Sequence, residues 1–367
     1  MEIKEEISIK LSAVREYLAK RELGGVLLSR RDNFSWLSGG KDNHVVNASE
    51  SGFFSLLVTG DNQYLVSDNV ELARAQTEEL TEITWEPLVF NWYDSNGAQD
   101  VVQSVLGGNT LAADSAFPDA ESLDDRFDRL RYTLLPGEIK RYKEICKQGA
   151  QVLESTCREL KPGQTEHEIA GLLGEKAISL GFEPAARLVG VDERVVKYRH
   201  PIPTDARLKK HVLVVFLGQK KGLYINASRV VHFGPPPDDL IRVHNAACSV
   251  DAAFLLNSQA GVGYKNIFHA GVEAYENQGY PDHWKLFTQG GVIGYRPREF
   301  VVTPSTILNV SNHQAVAWNP TVTGSKSEDT VLITEDGLEI LSEMPNWPAL
   351  EISYKGVSIK RPDILVR

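Results

Sequence analysis

Cysteine is scarce in this chain, which has only three, Cys146, Cys157 and Cys248, among 367 residues. None of them forms a Cys-x-x-Cys pair, and an odd number of thiols cannot all pair with one another. The sequence therefore indicates neither a disulfide framework nor a cysteine zinc site. A reducing compartment fits this usage best, so we expect a cytoplasmic location.

Long apolar runs are absent as well. No stretch reaches the roughly 18 consecutive apolar residues that a membrane-spanning helix needs. Residues 1–18 alternate charged and apolar side chains at helical spacing and lack the uninterrupted apolar stretch of a signal peptide. We expect no membrane partner.

Basic residues are outnumbered, since 39 Lys and Arg face 49 Asp and Glu, for a net charge of -10. Such a surface repels phosphate backbones, so we expect no nucleic-acid partner. Hydrophobic residues make up 42% and charged residues 24%, the balance of a folded globular protein. The length predicts two or three domains.

Residues 1–133 show the alternating helix and strand pattern of a small α/β domain. A helical pattern over 11–18 precedes strand patterns at 25–28, 53–58 and 62–68. A helical pattern over 69–80 and a strand-like segment at 111–114 follow. This order predicts a layered domain.

At residue 134 the pattern changes, and we place the domain boundary there. Pro136 suits a first helical turn, and the spacing predicts helices over 139–160 and, after the capping box of Thr165 and Glu168, over 166–180. Strand patterns at 212–217, 224–233 and 329–334 follow, with one helix between them at 240–256. Residues 134–367 thus predict an α+β domain that ends in an ordinary turn at 361–363.

Six fragments of the second half occur in a familiar order, namely residues 136–139, 161–166, 200–205, 222–229, 290–299 and 326–337. In this order they resemble the pita-bread superfamily of methionine aminopeptidases, prolidases, proline aminopeptidases and creatinases. Residues 32–39 are similar to a segment of the creatinase-like N-terminal domain. The resemblance implies an α+β fold, with a creatinase-like α/β domain over 1–133 and a pita-bread domain over 134–367, and it implies a homodimer.

Most metal ligands of the superfamily are missing here. Its metal-dependent members hold two divalent ions with side chains in the order Asp, Asp, His, Glu, Glu. The matching positions carry Phe216, Asn226, Gly291, Asn319 and Glu328. The match also implies that the Phe216 ring fills the place of a bridging ligand. One carboxylate cannot retain a dinuclear cluster, so we predict that no metal and no cofactor is held.

His200 and Glu328 are the residues that the resemblance identifies as catalytic. His200 matches the substrate-facing histidine that serves as acid and base in creatinase, a member without metal. An imidazole exchanges protons near neutral pH when a neighbour fixes its tautomer, and Glu328 is the candidate for that neighbour or for a substrate anchor. The alternatives are an ordinary loop histidine and a surface carboxylate at a strand end.

Two arginines flank Pro297 in the fifth fragment. Arg298 takes the place of a second substrate histidine of the peptidases, and with Arg296 it forms a candidate clamp for a carboxylate or phosphate. The alternative is that one of them pairs with Glu299 as a structural bridge. Arg229 is interpreted as mainly structural.

Neutral polar residues complete the predicted substrate site. Asn226, Asn319, Tyr295 and Ser228 are candidates to line a hydrogen-bonding pocket, and Ser228 replaces a glutamate of creatinase. The glycines at 290–294 are expected to let the backbone approach the substrate. Asn319, which precedes a proline, is equally consistent with a turn.

Three functions remain open. The first is a metal-independent hydrolase or lyase of creatinase type that acts on a small nitrogen-containing metabolite or a peptide-like C–N bond. The second is a non-catalytic pita-bread domain that binds a peptide or metabolite. The third, which the missing ligands disfavour, is an Xaa-Pro aminopeptidase-like or dipeptidase-like metallopeptidase. In each case the partner is a small molecule or a short peptide.

Overall fold

A computed structural model describes residues Met1–Arg367, which form two compact units. Unit 1 comprises Met1–Arg131, Leu135–Glu138 and Lys221–Leu223, and unit 2 comprises Tyr132–Leu134, Ile139–Lys220 and Tyr224–Arg367.

Unit 1 is built on one six-stranded mixed sheet. Its helices are α1 (Ile3–Arg21), α2 (Arg31–Leu37), α3 (Leu72–Arg74), α4 (Gly97–Leu106) and α5 (Asp125–Asp128), and its strands are β1 (Gly25–Arg30), β2 (Ser51–Thr59), β3 (Gln63–Asp68), β4 (Glu86–Phe90), β5 (Leu111–Ala113) and β6 (Ala120–Ser122). The strand order is β4-β3-β2-β1-β5-β6. The alternating pattern predicted for the first half is therefore confirmed.

One predicted helix of this unit is shorter than expected. The pattern over 69–80 forms only α3 and a π-helical turn at Ala75–Glu79. The Asp68 carboxylate accepts hydrogen bonds from the amides of Val70 and Glu71, both at 2.9 Å, and so holds the chain in a turn before the helix begins.

Unit 2 is α+β. Its helices are α6 (Pro136–Glu159), whose first turn lies in unit 1, α7 (Glu166–Ser179), α8 (Glu193–Lys197), α9 (Asp238–Asn257) and α10 (Tyr264–Asn277), and its strands are β7 (Glu183–Val191), β8 (His211–Lys220), β9 (Leu223–His232), β10 (Gly290–Ile293), β11 (Phe300–Val301), β12 (Ala315–Trp318), β13 (Thr321–Val322), β14 (Ser325–Lys326), β15 (Val331–Thr334), β16 (Gly337–Ile340), β17 (Ala349–Tyr354), β18 (Val357–Pro362) and β19 (Leu365–Val366). The predicted capping box is present, because Thr165 Oγ1 accepts from the Glu168 amide at 3.0 Å while the Glu168 carboxylate accepts from the Thr165 amide at 2.7 Å.

The strands of unit 2 form two main sheets and two hairpins. The sheets have the orders β19-β9-β8-β7 and β11-β10-β12-β15-β16, and the hairpins are β13-β14 and β17-β18. Behind the second sheet, Phe254 of α9 stacks on Trp318 with ring centroids 4.5 Å apart. This packing buries the face of α9 that carries Phe254 against β12.

Two predictions for the second half are wrong. The prediction of a single helix between the strands omits α10, whose buried residues Tyr264, Ile267, Phe268 and Gly271 have helical spacing. The predicted turn at 361–363 is the end of β18, and Arg361 there is buried. The local sequence does not show that Arg361 has buried partners.

The three cysteines are buried and unpaired. None of the helices combines the length and the apolarity that crossing a bilayer requires.

Candidate functional site

The candidate site lies where β9 meets the segment that follows hairpin β13-β14. Ser228 pairs antiparallel with Glu328, with its amide 3.1 Å from the Glu328 carbonyl oxygen. Two residues further, the Thr330 hydroxyl bonds to the backbone of Asn226, at 2.9 Å from its amide and 3.1 Å from its carbonyl. Because opposed and alternate residues share one face, Asn226, Ser228 and Glu328 lie together.

The hairpin brings Asn319 to the same face. Beyond the paired residues of β13 and β14, the Ser327 amide donates to the Pro320 carbonyl at 3.2 Å, so the pairing continues past the strands. The next opposed positions are Asn319 and Glu328. We call Asn226, Ser228, Arg298, Asn319, Lys326 and Glu328 the Glu328 cluster.

Two cations hold the single carboxylate of this cluster. Lys326 Nζ lies 2.7 Å from Glu328 Oε2, and both side chains are 3% exposed. Arg298 Nη2 lies 3.6 Å from Glu328 Oε1. Burial lowers the pKa of Arg298 from its usual value, although Glu328 opposes this shift. The cluster therefore carries one more positive than negative charge.

The neutral residues of the cluster are only partly hydrogen-bonded. With its amide oriented to satisfy both neighbours, Asn226 accepts from Arg298 and donates to the Ile225 carbonyl. Ser228 Oγ and Asn319 Oδ1 are buried without a partner. Buried polar atoms are normally hydrogen-bonded, so this face is suited to a polar ligand or to water.

His200 lies in the loop after α8, at the edge of the same site. Its ring meets that of Phe287 at 4.8 Å between centroids, and Lys326 Nζ lies 5.5 Å from the Phe287 ring. Partial burial, and then Lys326, lower the pKa of His200, while Glu328 acts in the opposite direction. The imidazole makes no hydrogen bond to the protein. The expectation that Glu328 orients this ring is therefore wrong, since Glu328 pairs with Lys326 and Arg298.

Tyr295 and Arg296 are arranged by the loop after β10. The Tyr295 hydroxyl accepts from Arg141 Nη2 of α6 at 3.1 Å. Glu299 Oε1 accepts from the backbone amides of Tyr295 and Arg296 at 3.0 and 3.2 Å. Glu299 thus shapes the loop, and Arg298 is the arginine that the structure places against Glu328.

Phe216 does not take the place that the resemblance implied. A Cβ on Gly149 of α6 would lie 2.7 Å from Ile225 Cδ1 and 3.5 Å from Phe216 Cε1, so both side chains point towards that helix. Because strand side chains alternate, Leu217 shares the opposite face with Asn226. The prediction that the Phe216 ring fills a ligand position is wrong, and Leu217 offers no carboxylate either.

The glycines of β10 are required by strand packing. A Cβ on Gly291 would lie 2.2 Å from the Phe300 carbonyl oxygen, and one on Gly290 would lie 2.2 Å from that of Ala317. At these two glycines the backbone closely approaches neighbouring strands. The expectation that they let the backbone approach the substrate is therefore wrong. The close approach also excludes an imidazole at position 291.

These residues do not fit a centre of two divalent ions. With Leu217 in place of Phe216, the ligand positions other than Glu328 carry Leu217, Asn226, Gly291 and Asn319, none of which is anionic. The remaining ligand, Glu328, is neutralised by an ammonium at 2.7 Å. A second cation beside Lys326 would be repelled at close range.

Sequence reasoning missed Lys326 and Phe287 as site residues. Lys326 precedes Glu328 by two positions, which in a strand places both side chains on one face, so a signal for it was present. Phe287 comes from another part of the chain, and only the fold brings it to His200.

Two family models match this chain. Residues 140–335 match metallopeptidase family M24, and residues 10–145 match the creatinase/prolidase N-terminal domain. Among curated proteins, an uncharacterized peptidase of Staphylococcus epidermidis is 24% identical over 298 residues, which cover 67% of this chain and 82% of that protein.

Solved structures share the fold across nearly the whole chain. An Xaa-Pro dipeptidase from Bacillus anthracis has a TM-score of 0.78 at 16% identity, covering 98% of this chain and 100% of its own. An X-Pro aminopeptidase from Thermotoga maritima has a TM-score of 0.77 at 20% identity, with 97% and 99% covered. The N-terminal domain of the FACT subunit SPT16 from chickpea has a TM-score of 0.72 at 11% identity, with 93% and 96% covered. Together with the two family models, these likenesses confirm the pita-bread fold with a creatinase-like N-terminal domain.

Proposed function

Since this chain belongs to metallopeptidase family M24, we propose that it is a peptidase-like hydrolase, or a lyase of the same bond, that works without a resident metal. Its substrate is a small peptide or nitrogen-containing metabolite with a C–N bond to cleave. The observation that carries the proposal is the pairing of Glu328, the one retained ligand, with Lys326 and Arg298.

In this proposal His200 moves the proton. It accepts a proton from water as the water oxygen bonds to the substrate carbon, and it gives that proton to the nitrogen as the C–N bond breaks. Partial burial and Lys326 lower the pKa of His200, which keeps the imidazole neutral and able to accept a proton at pH 7. Arg298 and Lys326 bind and orient the substrate, and Glu328 holds the two cations in place.

The test combines a chelator with a histidine variant. Turnover of a panel of dipeptides and guanidino or amido acids is expected to continue in EDTA. His200→Ala should lower kcat by about 100-fold to 10,000-fold, the usual contribution of a general acid or base. His269→Ala, an exposed histidine of α10, is the matched control and should leave kcat unchanged. Normal turnover by the His200 variant would remove the assignment.

A second candidate is a domain that binds its ligand without chemistry. It is favoured by the His200 ring, which makes no hydrogen bond to a carboxylate that would fix its tautomer. The discriminating result is a compound from the same panel that raises the melting temperature and is recovered unchanged.

A third candidate, a metallopeptidase, is favoured by the family match and by the names of the relatives. Elemental analysis of protein purified without chelator tests it. Near-stoichiometric manganese, zinc or cobalt would overturn the metal-independent proposal, whereas trace amounts would remove this candidate.

The homodimer and the cytoplasmic location stay predictions. Light scattering of the purified chain and fractionation of the source cells decide them.

A further inference from the structure

The Lys326 ammonium has fewer acceptors than donors. An ammonium carries three N–H groups, and the anionic oxygen beside Lys326 Nζ is Glu328 Oε2 at 2.7 Å, a contact that forms an ion pair without hydrogen-bond geometry. The face of Phe287 lies 5.5 Å away on another side. Because Arg298 also pairs with Glu328, one buried positive charge remains without a counter-charge. Burying such a charge is costly unless an anion compensates it.

The unpartnered atoms specify the rest of the ligand. Ser228 and Asn319 flank Glu328 on the two neighbouring strands. Ser228 Oγ can donate or accept, whereas Asn319 Oδ1 can only accept. A ligand that satisfies this face therefore needs an anionic acceptor for Lys326 and a donor for Asn319.

We infer that the Glu328 cluster binds the carboxylate of a small acid or peptide that carries an N–H or O–H donor close to that carboxylate. The inference rests on the metal-independent function proposed above, because it requires Lys326 and Arg298 to take the place where metal-dependent members of the family hold their ions. A monoanion matches the single excess charge, whereas a dianionic phosphate exceeds it and is repelled more strongly by Glu328.

Calorimetric titration of the full chain at pH 7 tests the inference with four probes. N-acetylglycine has the carboxylate and the N–H donor, N-acetylglycinamide lacks the charge, propionate lacks the donor, and inorganic phosphate replaces the carboxylate. N-acetylglycine should bind at least about tenfold more tightly than its amide, the loss expected for one charge-assisted hydrogen bond, and several-fold more tightly than propionate. Equal binding of acid and amide, tighter binding of phosphate, or no binding of N-acetylglycine would overturn it.

Variants locate the binding. Lys326→Met should weaken N-acetylglycine by at least about tenfold, whereas Lys285→Met, at a lysine 57% exposed, should not. Asn319→Asp keeps the shape of the side chain and cancels the excess charge, so it should weaken the acid similarly if the lysine variant does not fold. Unchanged affinity in a folded Lys326 or Asn319 variant would contradict the inference.

The inference and the proposed function fail separately. Binding of the acid without turnover of any substrate keeps the inference and removes the hydrolase. Turnover that is equally fast on substrates with and without a carboxylate keeps the hydrolase and removes the inference.

Discussion

Glu328 and Asp329 are neighbours in sequence, yet they enter two buried charge clusters that differ in balance. Arg229 Nη2 lies 2.8 Å from Asp329 Oδ1, Arg361 Nη2 lies 2.7 Å from Asp329 Oδ2, and Arg361 Nε lies 2.8 Å from Asp251 Oδ2. We call Arg229, Asp251, Asp329 and Arg361 the Asp329 network. Its two arginines and two aspartates cancel, whereas the Glu328 cluster has two cations for one anion.

The difference separates a structural role from a binding role. The Asp329 network joins β9, α9 and β18 through residues that are at most 2% exposed. Its charges need no outside ion. Both clusters contain buried polar atoms without a hydrogen bond, such as Asp251 Oδ1 and Arg361 Nη1 in the Asp329 network. The Glu328 cluster, on the opposite face of the same segment, in addition leaves a positive charge without a counter-charge, which suits it to an anionic ligand.

The largest expected effect comes from removing an arginine of the Asp329 network. Arg361→Met leaves Asp251 and Asp329 buried with one cation between them, and it should lower the free energy of unfolding by about 3–5 kcal/mol. Urea denaturation at pH 7 measures this loss. Arg298→Met is the control, because Glu328 keeps Lys326, and it should lose less than half as much. Equal losses would mean that charge balance does not distinguish the two clusters.

Two buried serines sharpen the comparison. Ser327 Oγ donates to Asp251 Oδ2 at 2.6 Å, whereas Ser228 Oγ has no partner. Ser327→Ala should therefore destabilise the protein by about 1.5–3 kcal/mol, the range for a hydrogen bond to a charged group. Ser228→Ala should stay within about 0.5 kcal/mol of the wild type. The midpoints of urea denaturation test both, and a larger loss at Ser228 would refute the distinction.

A double-mutant cycle tests the imbalance of the Glu328 cluster. Glu328→Gln leaves the buried Lys326 and the partly buried Arg298 without an anion and should destabilise by about 1–3 kcal/mol. Lys326→Met leaves a balanced pair and should destabilise by less. The double variant should be more stable than the sum of the two losses predicts, because each single change removes the partner of the other. Strict additivity would contradict the pairing of Lys326 with Glu328.

The smallest expected effect is the change in stability on acidification. Burial raises the pKa of Asp329, but Arg229 and Arg361 outweigh burial and lower it overall. Its contribution to stability is then present above the unfolded pKa of about 3.9 and is lost as the pH falls through the lower folded value. The destabilisation caused by Asp329→Asn should therefore be full at pH 7 and shrink as the pH falls below about 4. A constant difference across that range would show that the pKa of Asp329 is not lowered in the fold.

Much of the architecture was predictable from local patterns. The capping box at Thr165 and Glu168 marks the start of α7, and strand patterns located β8 and β9 to within a few residues. The missing metal ligands at positions 226, 291 and 319 were likewise evident from the order of the fragments. These features depend on residues close together in the chain.

The sequence by itself determined the α+β organisation, the order of the superfamily fragments and the scarcity of metal-ligating side chains, because periodicity and residue identity are local properties. Only the tertiary structure decided that Phe216 turns towards α6, that Glu328 pairs with Arg298, and that Arg361 is buried with Asp251 and Asp329. Alternation within a strand says which residues share a face, but which face is covered, and by what, depends on how distant strands and helices pack.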